Sequence, residues 1–333
     1  MARPRPLWTP PPRDGVSASR VAVNTQRQTR VLQFLAQRLP RVADWAERLA
    51  RGDVLDATGR PLAAGDPAQP GAVLWYWRSL PPEPRVPFEL EVLHHDDHLV
   101  VVDKPHFLSA SPSGRYLQET VLVRLKRLLG LDTLVPMHRL DRETAGVLAF
   151  TVRPQDRHAY HALWRERQVH KVYEAIAPWR DDLVLPALLR HCLVEPGGVA
   201  FMQIAVVEGE PNAETRIELI ARLGVQGGGT EIAALARNSS ERAPELAHYR
   251  LTPLTGRRHQ LRAQLCAAGL PIAGDRIYPH LQAEPPAEAE PDYAHPLQLL
   301  ARELAFTDPL TGRARHFVSR RTLARLLPVS AGD

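Results

Sequence analysis

A chain of 333 residues, 44% hydrophobic and 24% charged, has room for two domains and a sizeable core. No window holds eighteen consecutive apolar residues, which argues against a membrane span, and Cys192 and Cys266 stand far apart without CxxC or CxxH partners, which argues against a disulfide framework or a zinc site. The formal charge of +5 favours an anionic partner such as nucleic acid, although Lys104, Lys126 and Lys171 are the only lysines among 42 basic residues, and abundant Arg, Ala and Pro also fit a GC-rich genome. The N-terminus, MARPRPLWTPPPRDG, is basic but has neither an apolar h-region nor a small-residue cleavage site. With the cysteine usage, this points to a cytoplasmic protein in a reducing compartment.

Residues 1–20 are Pro- and Arg-rich without periodicity and read as a flexible basic arm. Residues 1–60 hold eleven Arg against five acidic residues, so the positive surplus is local. TRVLQFLAQRLP, with apolar residues at 31, 32, 35 and 39 and Thr29 as N-cap, predicts a short amphipathic helix. RVADWAERLARG predicts a second, with Val42, Trp45, Ala46 and Leu49 on one face and Gly52 as its stop. GDVLDATGRPL and GAVLWYW read as short strands around turns. Residues 21–80 thus form a compact unit, with Arg38, Arg41, Arg48 and Arg51 on its polar face. Pro81, Pro82, Pro84 and Pro87 mark a stiff linker over 81–88.

From Glu89 the pattern changes. LEVLHHDDHLVVVDKP contains two β-rich runs about a polar turn at His94–His98. TVLVRLKRLL (120–129) is helical, with Val121, Leu122, Leu125, Leu128 and Leu129 on one face and Gly130 ending it. VLAFTV (147–152) is a strand, 156–168 a helix and VHKVYEAIA (169–177) a strand. Further strands follow at 201–207, 214–220 and 247–252. Residues 225–245 read as a surface insertion, and TGRRHQLRAQLCAAG (255–269) as a turn entering a helix. Strands dominate without regular βαβ alternation, which predicts an α+β domain over 89–325 on a mixed or antiparallel sheet.

Three local groups can carry chemistry. In PMHRLDRETAGVLAF (136–150), Asp141 stands between Arg139 and Arg142 ahead of an apolar strand. A neighbouring guanidinium favours a carboxylate anion able to act as nucleophile or base; a loop salt bridge explains the same pattern. In HKVYEA, Tyr173 shares a strand face with Lys171 and Ala175. It is either a half-buried tyrosine or a platform for a flat base. In TGRRHQLR, Arg257, Arg258, His259 and Arg262 sit on a turn leading into a helix, which suits phosphate or is a solvated charged turn. Spacing alone does not join these groups.

The order and content of HRLDRETAG, HKVYEA, TGRRHQLRAQL and PIAGDRIYP resemble the RluA family of pseudouridine synthases. DKPHFLSASPSG and PLQLLARELAF are similar to that family's flanking segments, so the resemblance spans roughly 85–320. Ala145 departs from it, since the family often has Ser there, and the insertion at 225–245 and the segment 281–295 are unusual. The resemblance implies a pseudouridine synthase catalytic domain. It also implies that Asp141 is the catalytic aspartate, that Arg139 enters the space left by a flipped nucleotide, that Tyr173 lies beside the target base and sugar, and that Arg262 pairs with the aspartate. His138 would orient the loop. Arg142, Arg257 and His259 would contact RNA or support the site.

The implied reaction breaks the N1–C1′ bond of a uridine, turns the uracil and joins C5 to C1′. It is an isomerisation that needs no redox cofactor, metal or ATP, in keeping with a sequence lacking a GxxxxGK[ST] loop and metal-ligand clusters. The expected partner is structured ribosomal or transfer RNA, with the protein acting as a monomer. The N-terminal unit resembles a divergent, small α/β S4-like RNA-binding domain, an appendage common in that family. Arg38, Arg41 and Arg48 would then grip phosphates. The alternative is a catalytically silent RNA-binding or assembly factor on the same fold, which the intact Asp141, Tyr173 and Arg262 set disfavours.

Overall fold

The computed structural model describes residues 8–24, 29–40, 42–78, 83–197, 202–224, 245–283 and 290–324. Arg41, residues 1–7 of the expected 1–20 arm and residues 225–244 of the expected 225–245 insertion lie outside the described residues. The chain clusters into two compact units, Met1–Glu83 with Ser111–Asp132, and Pro84–Ala110 with Thr133–Asp333.

The first unit contains β1 (Ser19–Ala22), α1 (Val31–Arg38), α2 (Trp45–Ala50), β2 (Val54–Leu55) and β3 (Val73–Tyr76). The three strands form an antiparallel sheet in the order β1-β3-β2. Val31, Phe34 and Leu35 from α1 pack with Trp45 and Leu49 from α2 against Val54, Leu74 and Tyr76. Val31, Leu35, Trp45 and Leu49 were expected on this face from the 3–4 residue spacing; Phe34 was not, and Ala46, expected there, is exposed. The cap differs from expectation: α1 starts after an extended Arg30, while the Thr29 hydroxyl bonds the Gln33 side chain at 3.0 Å. Arg48 departs from the expected polar face. Only 4% exposed, it gives Nε to Asp44 at 2.7 Å and Nη1 to the Trp77 carbonyl, so its guanidinium ties α2 to the end of the sheet. Arg38 is exposed, as expected.

Residues 111–132, expected with the strand-rich domain, cluster with this unit. Their helix α3 (Val121–Leu129) has Thr120 as N-cap and a left-handed Gly130 as its stop. Its buried face is Val121, Val123, Leu125 and Lys126, rotated from the leucine stripe, and Leu128 is 63% exposed. Val123 packs on Val16 and Leu117, which turns the helix that way. The Glu83 carboxylate accepts the N–H groups of Leu117, Gln118 and Glu119 and holds the preceding turn.

The second unit is built on one 11-stranded sheet. Its strands are β4 (Glu91–His95), β5 (Leu99–Lys104), β6 (Val135–Pro136), β7 (Ala145–Thr151), β8 (His170–Pro178), β9 (Ala187–Val194), β10 (Ala205–Val207), β11 (Ala213–Gly224), β12 (Leu246–Pro253), β13 (Leu299–Thr307) and β14 (Ala314–Val318). The spatial order is β10-β9-β11-β12-β8-β13-β7-β5-β4, with β14 on β13 and β6 on β7. Helices α4 (Arg157–Arg165) and α5 (Gln260–Ala267) accompany it. The fold is α+β on a mixed sheet, because every pairing is antiparallel except β7 with β13. No helix among the described residues is long and apolar enough to cross a membrane.

That parallel pairing explains one motif residue. Gly146 has φ +112°, and a Cβ there would fall 2.2 Å from the Ala301 carbonyl oxygen, so only glycine allows β13 to approach. Its neighbour Ala145 is fully buried with Ile176 and Leu300, an apolar setting that suits a methyl group.

Candidate active site

Asp141 lies in the turn between β6 and β7, and the Thr144 N–H closes that turn on the Asp141 carbonyl at 3.1 Å. The DKPH segment at the end of β5 secures it. Lys104, fully buried, donates Nζ to the carbonyls of Pro105, Leu108 and Arg142 at 2.8–2.9 Å. His106 Nδ1 donates to the Glu143 carbonyl at 2.6 Å. Burial pushes Lys104 down to about 7, opposed by the nearby Glu143 and Asp141 charges. Its three carbonyl acceptors match the three N–H bonds of an ammonium. These roles of Lys104 and His106 escaped the sequence reading, although both lie in the quoted DKPH segment.

His138 secures the other end of the same loop. Its Nε2 accepts the Ala149 N–H at 3.2 Å, and its ring stacks on Trp164 at 5.1 Å and 13°. Burial, followed by the Lys171 charge, lowers it to about 3, so the ring is neutral.

The loop opens on a cavity of about 250 Å³ lined by Arg139, Asp141, Trp164, Lys171, Tyr173, Arg257, His259 and Arg262 among others. Strand β8, helices α4 and α5 and the turns before β7 and α5 bring these residues together. Tyr173 projects from β8, paired with Leu251 of β12 on one side and Ala301 of β13 on the other. Burial first, then the negative charge of Asp141, raises its phenol above the ordinary range, so it is the neutral ring that faces the cavity. Lys171, two residues earlier on the same face, bonds the Thr255 carbonyl at 3.0 Å. It is lowered to about 8 by burial and by Arg167. Arg139 and Arg257 are exposed at the rim. Arg142 pairs with the adjacent Glu143 at 2.6 Å, and it does not line the cavity.

Helix α5 supplies Arg262, whose side chain is 2% exposed. Its Nη1 stands 3.5 Å from Asp141 Oδ2, while its Nε and Nη2 bond Asp275 at 2.8 and 2.6 Å. Burial opposes the Arg262 charge, but the Asp275 hydrogen bonds and charge outweigh it and raise its affinity for the proton. Asp275 also accepts the N–H groups of Ile277 and Tyr278, which anchors it. His259 is the second neighbour of Asp141, with Nε2 at 3.8 Å from the same Oδ2. Both cationic or N–H-bearing neighbours thus approach one oxygen, and among the described residues no hydrogen bond reaches Oδ1.

Two glutamines hold α5 in place. Gln260 accepts from the Thr255 hydroxyl and the Arg257 N–H and donates to the Glu214 carbonyl. Gln264 accepts from the Thr215 hydroxyl and donates to the carbonyls of Leu189 and Ala213. Sequence reasoning missed both, and missed Asp275. The signal for the glutamines was present: two amides at i and i+4 on a helix otherwise suited to burial. Asp275 sits in PIAGDRIYP, thirteen positions beyond its partner, where no periodicity marks it.

A family model described as RNA pseudouridylate synthase matches residues 98–267, more than half of the chain. The chain is 31% identical over 234 residues to an RNA pseudouridine synthase of Synechocystis sp. named as uncharacterized, covering 70% of this chain and 73% of that one. It is 32% identical over 229 residues to the dual-specificity RNA pseudouridine synthase RluA of Haemophilus influenzae, covering 68% of this chain and 91% of that protein. In fold it is similar to the human RNA pseudouridylate synthase domain containing 1, with a TM-score of 0.53 at 18% identity over 72% of this chain and 86% of that one. With the turn, the cavity and these likenesses in agreement, the chain belongs to the RluA-like family of RNA pseudouridine synthases, isomerases that act on RNA.

Proposed function

We propose that the protein converts specific uridines of structured ribosomal or transfer RNA to pseudouridine, with Asp141 as the catalytic aspartate. The observation that carries this reading is the asymmetric setting of the Asp141 carboxylate. One oxygen faces Arg262 and His259, and the other has no protein hydrogen bond among the described residues and belongs to a cavity-lining residue. An anion so placed meets the C1′ side of a nucleotide with Oδ1, while Oδ2 stays against the guanidinium.

A stacked uridine cannot turn within a helix, so it enters the cavity extruded, at a cost of about a few kcal/mol. Exposed Arg139 at the rim is placed to fill the gap it leaves. The neutral Tyr173 ring supports the detached uracil while C5 replaces N1 at C1′. The proton on C5 leaves and N1 gains one, so the product has the composition of the substrate. The N-terminal unit, with exposed Arg38 on its first helix, acts as an S4-like phosphate grip, and the protein works as a cytoplasmic monomer.

The test uses RNA carrying tritium at uracil C5, isolated from a strain lacking the gene, because joining C5 to C1′ releases that hydrogen. Asp141→Asn is expected to release none while retaining RNA affinity within a few-fold. Continued release by this variant would remove Asp141 from the chemistry. Mapping of pseudouridine in total RNA of the deletion strain against its parent names the site.

A further inference from the structure

His259 occupies a backbone conformation that few side chains adopt. It has φ 50° and ψ 19° at the N-cap of α5, in the left-handed region, and its side chain makes no capping hydrogen bond. Glycine or asparagine fills such a position at lower strain. Histidine is among the side chains more often found there, so what singles this one out is where its ring lies. The ring is 11% exposed and lies between two groups of the site. Its Nδ1 is 3.3 Å from the Tyr278 hydroxyl, and its Nε2 is 3.8 Å from Asp141 Oδ2.

Proton placement follows from Tyr278. The Tyr278 hydroxyl accepts the Ile204 N–H at 2.6 Å, which leaves its own hydrogen for the His259 Nδ1 or, at 3.4 Å, for the Ile204 carbonyl. A neutral imidazole that accepts at Nδ1 carries its hydrogen on Nε2, the atom facing Asp141. Burial, partly offset by the Asp141 charge and reinforced by Arg262, lowers His259 to about 4, so at neutral pH the ring is the neutral donor and not a cation. The distance to Oδ2 is too long for a hydrogen bond in the free protein. Such contacts tighten in substrate complexes.

Resting on the reading of Asp141 given above, we infer that His259 is a positioning residue for Asp141: Tyr278 sets its tautomer, and its Nε2–H closes on Oδ2 when RNA binds and keeps Oδ1 aimed at the ribose. Arg262 fixes the same oxygen from the other side, but Asp275 holds it by two shorter bonds. The imidazole is then the neighbour of Oδ2 not committed to another carboxylate.

The experiment sets two substitutions against each other. His259→Asn suits the left-handed backbone but its amide is too short to reach Oδ2. His259→Gln suits that backbone less well and carries an amide N–H to about the place of Nε2. Tritium release from C5-labelled RNA of the deletion strain is followed under single turnover, with thermal unfolding of each variant. A positioning role gives opposite orders. His259→Asn unfolds at the higher temperature but reacts about tenfold more slowly at saturating enzyme, with an unchanged half-saturating concentration, and His259→Gln recovers most of the rate. Tyr278→Phe slows the natural chain and adds nothing in the His259→Asn background, as expected of two groups acting in series. If rate follows stability, with the Asn variant the faster, or if the two losses add, His259 is only the start of α5 and the inference is overturned. Asp141→Asn run in parallel separates the outcomes: tritium release by that variant overturns the reading of Asp141 itself.

Discussion

Arg262 binds Asp275 through two hydrogen bonds of 2.8 and 2.6 Å and approaches Asp141 at only 3.5 Å. The cation next to the Asp141 carboxylate is therefore held by a different carboxylate, whose own side chain is 1% exposed. Asp141 is therefore approached by Arg262 without being locked into a bidentate pair with it.

Asp275→Asn tests that dependence. The substitution leaves the Arg262 charge buried without its main partner, and breaking such a pair costs about 3–5 kcal/mol. Arg262 is then expected to turn fully onto Asp141 and take up both of its carboxylate oxygens. Unfolding by denaturant and single-turnover tritium release should both fall, the rate at least tenfold per folded molecule. A variant that loses stability but keeps its rate would show that Asp275 only supports the fold.

Lys104 gives a prediction with a sign in pH. Its ordinary value is 10.5, and burial lowers it to about 7 in the folded protein. Between those values the unfolded chain binds the proton more readily, so this residue makes stability rise as pH increases from about 7 to about 10.5. Below about 7 both states hold the proton and the contribution is flat. Lys104→Met should remove this part of the slope when unfolding is measured across that window. It should also lower stability at neutral pH by about 2–4 kcal/mol, because three buried carbonyls lose their donor. An unchanged slope would refute the assignment.

Gly146→Ala should prevent assembly of the sheet beside the site. The added methyl would meet the Ala301 carbonyl at 2.2 Å, and the left-handed φ adds strain. Loss of soluble protein, or a fall in unfolding temperature of more than about 10 °C, is expected. A variant with the parent's melting curve would show that β7 and β13 can part without consequence.

Arg38 and Arg48 should behave oppositely, although both belong to the basic N-terminal unit. Arg48→Met removes the buried partner of Asp44 and the Trp77 carbonyl, so stability falls while RNA affinity per folded molecule holds. Arg38→Ala leaves stability unchanged. If Arg38 meets a phosphate, the slope of log affinity against log salt becomes shallower by about 0.7–0.9. Filter binding across a salt series, with melting curves, checks both.

The positions of Asp141, Tyr173 and Arg262 in one cavity were legible because their motifs carry a family likeness. Their spacing alone did not join them, since β8, β12 and β13 do so through non-local pairing. The apolar periods of α1 and α2 named Val31, Leu35, Trp45 and Leu49, which are buried because packing there is helix against sheet, but missed Phe34 and included Ala46, which is exposed. The same reasoning misplaced the face of α3, where Val123 is buried against Val16 and Leu117 in place of the leucine stripe. Strand β9, ALLRHCLV, was overlooked because Arg190 and His191 interrupt its apolar run. What stayed hidden at the site, Asp275 and the carbonyl-binding Lys104, acts through partners that no local pattern identifies. Arg48 shows the converse: a basic residue on a charged helix whose charge is directed inward.

The parallel neighbour of β7 also bears on how the enzyme comes into being at the ribosome. The strand that follows Asp141 is flanked by β13, which emerges from the exit tunnel long after it and also separates it from the strand carrying Tyr173. Until that late strand slides in between, the Asp141 carboxylate and the Tyr173 phenol have no shared frame, so the cavity they line is assembled only near the end of synthesis.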